Sequence, residues 1–154
     1  MLKLVVIGTI AAFAKAEFPV TQEIVNEIRA ANALWQAVDV SENPFASYTM
    51  DQIKALLGTV VQGPAGFPPV EAVVGAPASF DARTQWPGCV HAIRDQQQCG
   101  SCWAFAASEA FSDRICIATG GKVNVVISPQ DMVSCDKSNY ACDGGYLDKA
   151  WQYL

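Results

Sequence analysis

Apolar residues recur at helical spacing along much of the chain. Ile24, Ile28, Ala31, Trp35 and Val38 predict an amphipathic helix over Phe18 to Val38, with Thr21 as its cap. Thr49 and Gln52 are spaced as a capping box. Ile53, Leu56 and Leu57 follow as an apolar stripe that Gly58 ends. Two such short helices cannot bury their faces alone, so this segment should dock on something. The longest series runs from Cys102 to about Ala118. Helical spacing sets Trp103, Ala107, Ala110, Phe111 and Ala118 on one face, and Ala104, Phe105 and Ile115 make much of the rest apolar. A helix apolar on most sides should be wrapped by protein, and Gly120-Gly121 stops it. Ser128-Pro129-Gln130-Asp131 reads as a further helix start: a cap, proline at the first position and an acid able to close a capping box. That helix should end near Cys135, and a last one should run from Leu147 to Leu154. Gly63 to Pro77 has no helix signal and reads as an extended linker rich in proline and glycine.

Composition narrows the class. The 154 residues are 51% hydrophobic and 16% charged, which suits a chain with a real core. The net charge of −5 shows no basic patch and argues against nucleic acid as a partner. Six cysteines in this length suggest an oxidising compartment. Met1 to Ala16 supplies a route there. Lys3 is a positive start, Leu4 to Phe13 a short apolar run and Ala14-Lys15-Ala16 a small-x-small cleavage site. This reads as a secretory signal peptide, too short for a membrane span, although a buried N-terminal strand is the plainer alternative. No membrane partner is expected once the leader is removed.

The chemistry concentrates at Gln96-Gln97-Gln98-Cys99-Gly100-Ser101-Cys102-Trp103-Ala104-Phe105. Ser101 can cap the long helix, which leaves Cys102 in its first turn. There the free backbone N–H groups and the positive end of the dipole favour a thiolate, the nucleophilic form of cysteine. The Gln96 amide, with the Cys102 N–H, could bind an oxyanion that develops on an attacked carbonyl. Other readings of the pair exist. Cys99 and Cys102 could be a redox couple, but such a motif should follow a buried strand and the residues before it are polar. They could be half of a zinc site, but Cys135 and Cys142 are poorly spaced for the other half. Both could be structural cystines, which is the expectation for Cys99.

Cys99-Gly100-Ser101-Cys102-Trp103, extended by Ala104-Phe105, is an established signature of papain-family cysteine proteases, and the chain resembles that family on this ground. Further stretches resemble its cathepsin B-type members. Leu34-Trp35-Gln36-Ala37 and Ile53 to Thr59 resemble the pro-segment. Pro77 to Arg83 and Gln85-Trp86-Pro87 resemble the start of the mature enzyme, and Asp113 to Ile117 the end of the central helix. The resemblance implies an α+β papain-like fold, of which the mainly helical N-terminal lobe and a helical propeptide are present here. The implied layout is a signal peptide over 1–16, a propeptide over 17–75 and the N-terminal part of the peptidase domain over 76–154. A linker between two permanent domains is the blander reading of the middle region. In this family the pro-segment packs on the enzyme and runs through its cleft, so its expected partners are peptide substrates and its own propeptide as an inhibitor. No cofactor or metal is implied. The expected destination is a lysosome, a food vacuole or the extracellular space.

Residue by residue, the resemblance makes Cys102 the nucleophile and Gln96 an oxyanion donor. Trp103 should pack behind the nucleophile. Cys142-Asp143-Gly144-Gly145-Tyr146 resembles the glycine segment that pairs with substrate in a strand-like way, so Gly144 and Gly145 should line the cleft. An ordinary turn is the alternative. The family pattern pairs Cys89 with Cys116 and Cys99 with Cys142. It leaves Cys102 free and gives Cys135 a partner beyond Leu154. The family's histidine and asparagine lie ~130–150 residues after the cysteine, also beyond Leu154. The one histidine, His91, precedes the nucleophile and is expected to face solvent in the loop after Cys89. The chain therefore reads as a fragment that lacks peptidase turnover by itself. Gln97 stands where the family has glycine, and Asp143 where it has asparagine. Two rival functions follow from other classes: a non-catalytic secreted decoy or inhibitor, and a disulfide oxidoreductase using Cys99 and Cys102.

Overall fold

Helix α4, Cys102–Ala118, is the axis of the larger of two compact units. The computed structural model describes residues 19–32, 34–61 and 75–154, so the signal peptide expected over 1–16 and most of the expected linker lie outside the described residues. The two units divide after Ile53.

In the first unit, α1 spans Gln22–Ala30. Thr21 caps it as expected, its hydroxyl accepting from the Ile24 N–H at 3.3 Å. The helix ends eight residues short of the predicted Val38. Asn32 adopts a left-handed φ of 50°, and the Arg29 guanidinium donates to the Ala37 carbonyl at 2.8 and 3.1 Å. A side chain thus holds the returning chain where the apolar spacing alone suggested more helix. The predicted stripe is also displaced: Val25 is buried, while Ile24, Trp35 and Val38 are exposed. Arg29 also meets Asp39 at 3.1 Å. That hydrogen bond, and then the Arg29 charge, holds the Asp39 carboxyl below its usual range. The capping box before α2, Met50–Leu56, forms in both directions: the Gln52 carboxamide accepts from the Thr49 N–H at 2.8 Å, and the Thr49 hydroxyl from the Gln52 N–H at 3.3 Å.

The second unit holds Lys54 to Leu154. Asp81 caps the single turn of α3, Ala82–Gln85. Helix α4 has the predicted limits, and it packs on α5, Pro129–Cys135, and on α6, Leu147–Tyr153. The core joins Trp103, Ala104 and Ala107 of α4 to Met132 of α5 and Ala150 of α6. The buried face of α4 is rotated from the predicted one, for Ser108, Ser112 and Cys116 are buried while Ala118 is exposed. Serine fits there because its hydroxyl is satisfied locally: Ser112 donates to the Ser108 carbonyl at 2.6 Å and accepts from the Ile127 N–H at 3.0 Å. Neither Ser101 nor Ser128 makes a side-chain cap bond. Ser101 donates instead to the Cys99 carbonyl at 3.4 Å, and Asp131 accepts from the Tyr153 hydroxyl at 2.8 Å rather than closing a box. Disulfides join Cys89 to Cys116 and Cys99 to Cys142. Among the described residues the only β-bridge is between Thr59 and Gly145, and no helix is long and apolar enough to cross a membrane.

Candidate active site

Cys102 stands at the first position of α4 as a free thiol, partly covered. Directly behind it Trp103 is fully buried, its indole N–H donating to the Ala141 carbonyl at 3.0 Å. This bond and the Cys99–Cys142 disulfide tie the start of α4 to the Ala141–Asp143 turn. The tie is close. The Gly100 N–H donates to the Cys142 carbonyl at 3.1 Å, and a Cβ on Gly100 would collide with that same carbonyl. Gly144, at φ 113°, ends the turn in a conformation that favours glycine, and Gly145 passes so near Trp103 that a Cβ would stand 2.6 Å from the ring.

The cleft floor made this way carries an extended segment of the same unit, Gly58-Thr59-Val60. The Gly145 N–H donates to the Gly58 carbonyl at 2.8 Å, and the Gly145 carbonyl accepts from the Val60 N–H at 2.9 Å, in a parallel bridge. The Thr59 hydroxyl then lies 3.1 Å from Cys102 Sγ. Gly58 is itself sterically required, because a Cβ there would run into the Gly100 carbonyl. Gln96 joins the same segment. Its Nε2 donates to the Cys99 carbonyl at 2.8 Å and to the Leu56 carbonyl at 2.9 Å. One amide hydrogen is thus used to aim the side chain, and the other points at a carbonyl oxygen.

Cys102, Gln96, Trp103, Gly144 and Gly145 therefore converge around one extended backbone. His91 does not join them. Its Nδ1 meets Asp113 at 2.6 Å and its Nε2 meets Asn124 Oδ1 at 2.7 Å, and the ring is only 16% exposed rather than solvent-facing. Cys99 is bonded to Cys142, so it is not available to Cys102 as a redox partner in this structure. Cys135 is a free, exposed thiol. Gln97 has φ 53°, so the glycine-like conformation is present with glutamine in it, and the Asp95 carboxylate accepts its N–H at 2.7 Å. Among the described residues no cluster of His, Cys, Asp and Glu could hold a metal ion. The reading from sequence missed the contacts of Leu56 and Thr59, although it expected the segment to cross the cleft. It also missed Asn139, whose carboxamide accepts from the Tyr146 N–H at 2.7 Å.

A free cysteine at a helix start, the Gln96 amide and a glycine that pairs with extended backbone thus meet one segment, Leu56 to Val60. Residues 76–154 match the family model for papain family cysteine proteases, and the chain belongs to that family. It is 46% identical over 147 residues to Cathepsin B-like cysteine proteinase 4 of Caenorhabditis elegans, an alignment covering 88% of this chain and 42% of that protein. It is 54% identical over 80 residues to Cathepsin B-like cysteine proteinase 6 of the same organism, covering 50% of this chain and 21% of that protein. Among solved structures, proCathepsin B S9 from Trypanosoma congolense matches with a TM-score of 0.73 and 31% identity, over 87% of this chain and 48% of that one. Digestive procathepsin L2 from Tenebrio molitor larval midgut matches with a TM-score of 0.68 and 29% identity, over 86% and 44%. The chain spans less than half the length of each of these proteins.

Proposed function

We propose that this chain carries the pro-segment and the nucleophile-bearing lobe of a cathepsin B-like cysteine protease precursor. The observation that carries the reading is the Gly58-Thr59-Val60 backbone, paired to Gly145 on both sides with Thr59 against the Cys102 sulfur. An extended peptide substrate would use the same glycine and the same cleft. In the reaction, the Cys102 thiolate attacks a peptide carbonyl. The Gln96 amide and the Cys102 N–H hold the oxygen as it gains charge, the amine leaves with a proton, and water hydrolyses the acyl-enzyme. The Leu56 carbonyl occupies the free Gln96 hydrogen until the pro-segment leaves, so nucleophile and oxyanion donor are masked together.

The proton donor for the amine is not His91, which is committed to Asp113 and Asn124. The family resemblance assigns that role to a histidine ~130–150 residues after the nucleophile, past Leu154. These 154 residues by themselves are therefore expected to show no turnover of a dipeptidyl fluorogenic substrate. In this reading 1–16 is a secretory signal, 17–75 the propeptide and 76–154 enzyme, and the destination is a lysosome, a food vacuole or the extracellular space. N-terminal sequencing of the secreted form checks the first boundary.

The test of the cleft uses a peptidyl chloromethyl ketone on a chain in which Gly58→Ala weakens the masking segment. Cys135, exposed and outside the cleft, is the internal reference thiol. The reagent should label Cys102 in preference to Cys135, and an excess of unreactive extended peptide should slow only the Cys102 reaction. Equal labelling of the two thiols, unaffected by peptide, overturns the reading.

A further inference from the structure

The peptide group that joins Gly145 to Tyr146 is held from both sides. Its carbonyl accepts from the Val60 N–H at 2.9 Å, and its N–H donates to Asn139 Oδ1 at 2.7 Å. The Asn139 carboxamide has a fixed orientation, because its Nδ2 donates to Asp136 Oδ2 at 2.7 Å. Turned over, it would set a carbonyl oxygen against a carboxylate and an NH2 against the Tyr146 N–H. Asp136 is fixed in turn, its Oδ1 accepting from the Ser138 N–H at 2.8 Å and the Ser138 hydroxyl at 2.6 Å. Lys149 donates to the Ser138 carbonyl at 3.2 Å and closes the loop.

Asp136 and Asn139 are both buried, at 7% and 8% exposure. Buried polar groups cost stability unless their partners are in place, and here they are. Burial works to raise the Asp136 carboxyl, yet the bonds from Ser138 and Asn139 and the Lys149 charge together hold it below its usual value. A carboxylate at that spot keeps the Asn139 oxygen facing Gly145. Trp103 stands on the same side, for a Cβ on Gly145 would meet both the indole ring, at 2.6 Å, and Asn139 Oδ1, at 2.8 Å, so only glycine fits between backbone and these two groups.

We propose that Asn139, aimed by Asp136, is a positioning residue for the extended-chain site. It sets the plane of the Gly145–Tyr146 peptide and so the direction of the carbonyl that receives an N–H from a chain lying in the cleft. The bond to the Tyr146 N–H also polarises that carbonyl, since hydrogen bonds on the two ends of one peptide reinforce each other. The inference rests on the reading of Gly145 as the strand-pairing residue, with the pro-segment standing in for substrate.

Amide hydrogen exchange on the whole chain tests it, because the pro-segment is an extended ligand already in place. In the unaltered chain the Val60 N–H should be protected. Asn139→Ala should reduce that protection by on the order of tenfold while amides inside α4 keep theirs. Asn139→Asp, which faces one carboxylate with another, should do the same. The double variant Asp136→Asn/Asn139→Asp exchanges donor and acceptor. The amide introduced at position 136 then donates to the carboxylate introduced at position 139. That carboxylate accepts from the Tyr146 N–H, and Val60 protection should return. Such a rescue separates positioning from mere support of the fold, and the last two variants decide the matter even where Asn139→Ala does not fold. Val60 protection unaltered by Asn139→Ala, or a folded double variant without rescue, overturns the proposal. An unaltered chain in which the Gly145 and Val60 amides exchange freely overturns the reading of the cleft itself, a distinguishable failure.

Discussion

The Thr59 hydroxyl lies 3.1 Å from the Cys102 sulfur, across 43 residues of sequence. The contact is held by backbone rather than by Thr59 alone. Gly58 and Val60 on either side are bonded to Gly145, and Leu56 is bonded to Gln96. Cys102, Gln96 and Gly145 are thus all contacted by one short run of chain, Leu56 to Val60.

Gly58→Ala should uncover the nucleophile. A Cβ there meets the Gly100 carbonyl, which cannot retreat because the Gly100 N–H is bonded to Cys142. Alkylation of Cys102 by iodoacetamide should rise by on the order of tenfold or more, the loss of at least one backbone hydrogen bond, with Cys135 unchanged. Thr59→Val, which removes only the hydroxyl, should have a smaller effect. Equal rates in all three chains would count against masking by this segment.

Gln97→Gly should stabilise the chain. A left-handed conformation costs a residue with a Cβ roughly 1–2 kcal/mol, against roughly 0.5–1 kcal/mol for the added freedom of glycine in the unfolded chain. The first effect is the larger, so a net gain of about 0.5–1 kcal/mol is expected in urea unfolding. The bond from the residue 97 N–H to Asp95 is retained.

His91 should make stability depend on pH. Its pKa is raised above the ordinary 6.5, first by the hydrogen bond to Asp113 and then by that to Asn124, while Arg94 opposes. Asn124 Nδ2 donates to the Gly88 carbonyl at 3.0 Å, which leaves its oxygen for the ring and calls for a proton on both ring nitrogens. The folded chain binds that proton more tightly than the unfolded one. The stabilisation is therefore full below about pH 6.5 and fades as pH rises through the raised value. His91→Gln should lower the melting temperature more at pH 5 than at pH 8. With one histidine in the chain, the imidazole NMR titration reads the value directly. Equal losses at both pH values would contradict the assignment.

Removing the Cys99–Cys142 bridge should be costly. The bridge closes a separation of 43 residues, for which the chain-entropy model gives about 4 kcal/mol. Cys99→Ser/Cys142→Ser should lower the urea midpoint accordingly. It should also loosen the Cys99 carbonyl that aims Gln96 and the Gly100–Cys142 pairing.

The sequence by itself determined what depends on neighbours within one turn. The caps at Thr21 and Thr49, the proline start of α5 and the full length of α4 follow from local hydrogen-bonding rules and from the period of apolar residues. The position of Cys102 at a helix start was legible for the same reason, and so was the family, since its signature is a short contiguous run. Tertiary structure decided whatever needed a distant partner. Helix α1 stops at Ala30 because Arg29 holds Ala37, and the Ser101 hydroxyl turns to a carbonyl rather than to its helix. His91 is drawn to Asp113 across 22 residues, and Asn139 to Tyr146 across a turn that the disulfide, Trp103 and Gly100 tie to the start of α4. A polar side chain advertises what it can bond to but not which partner the fold brings within reach. That choice belongs to packing, and packing set both Thr59 against Cys102 and the Asn139 oxygen against the Tyr146 N–H.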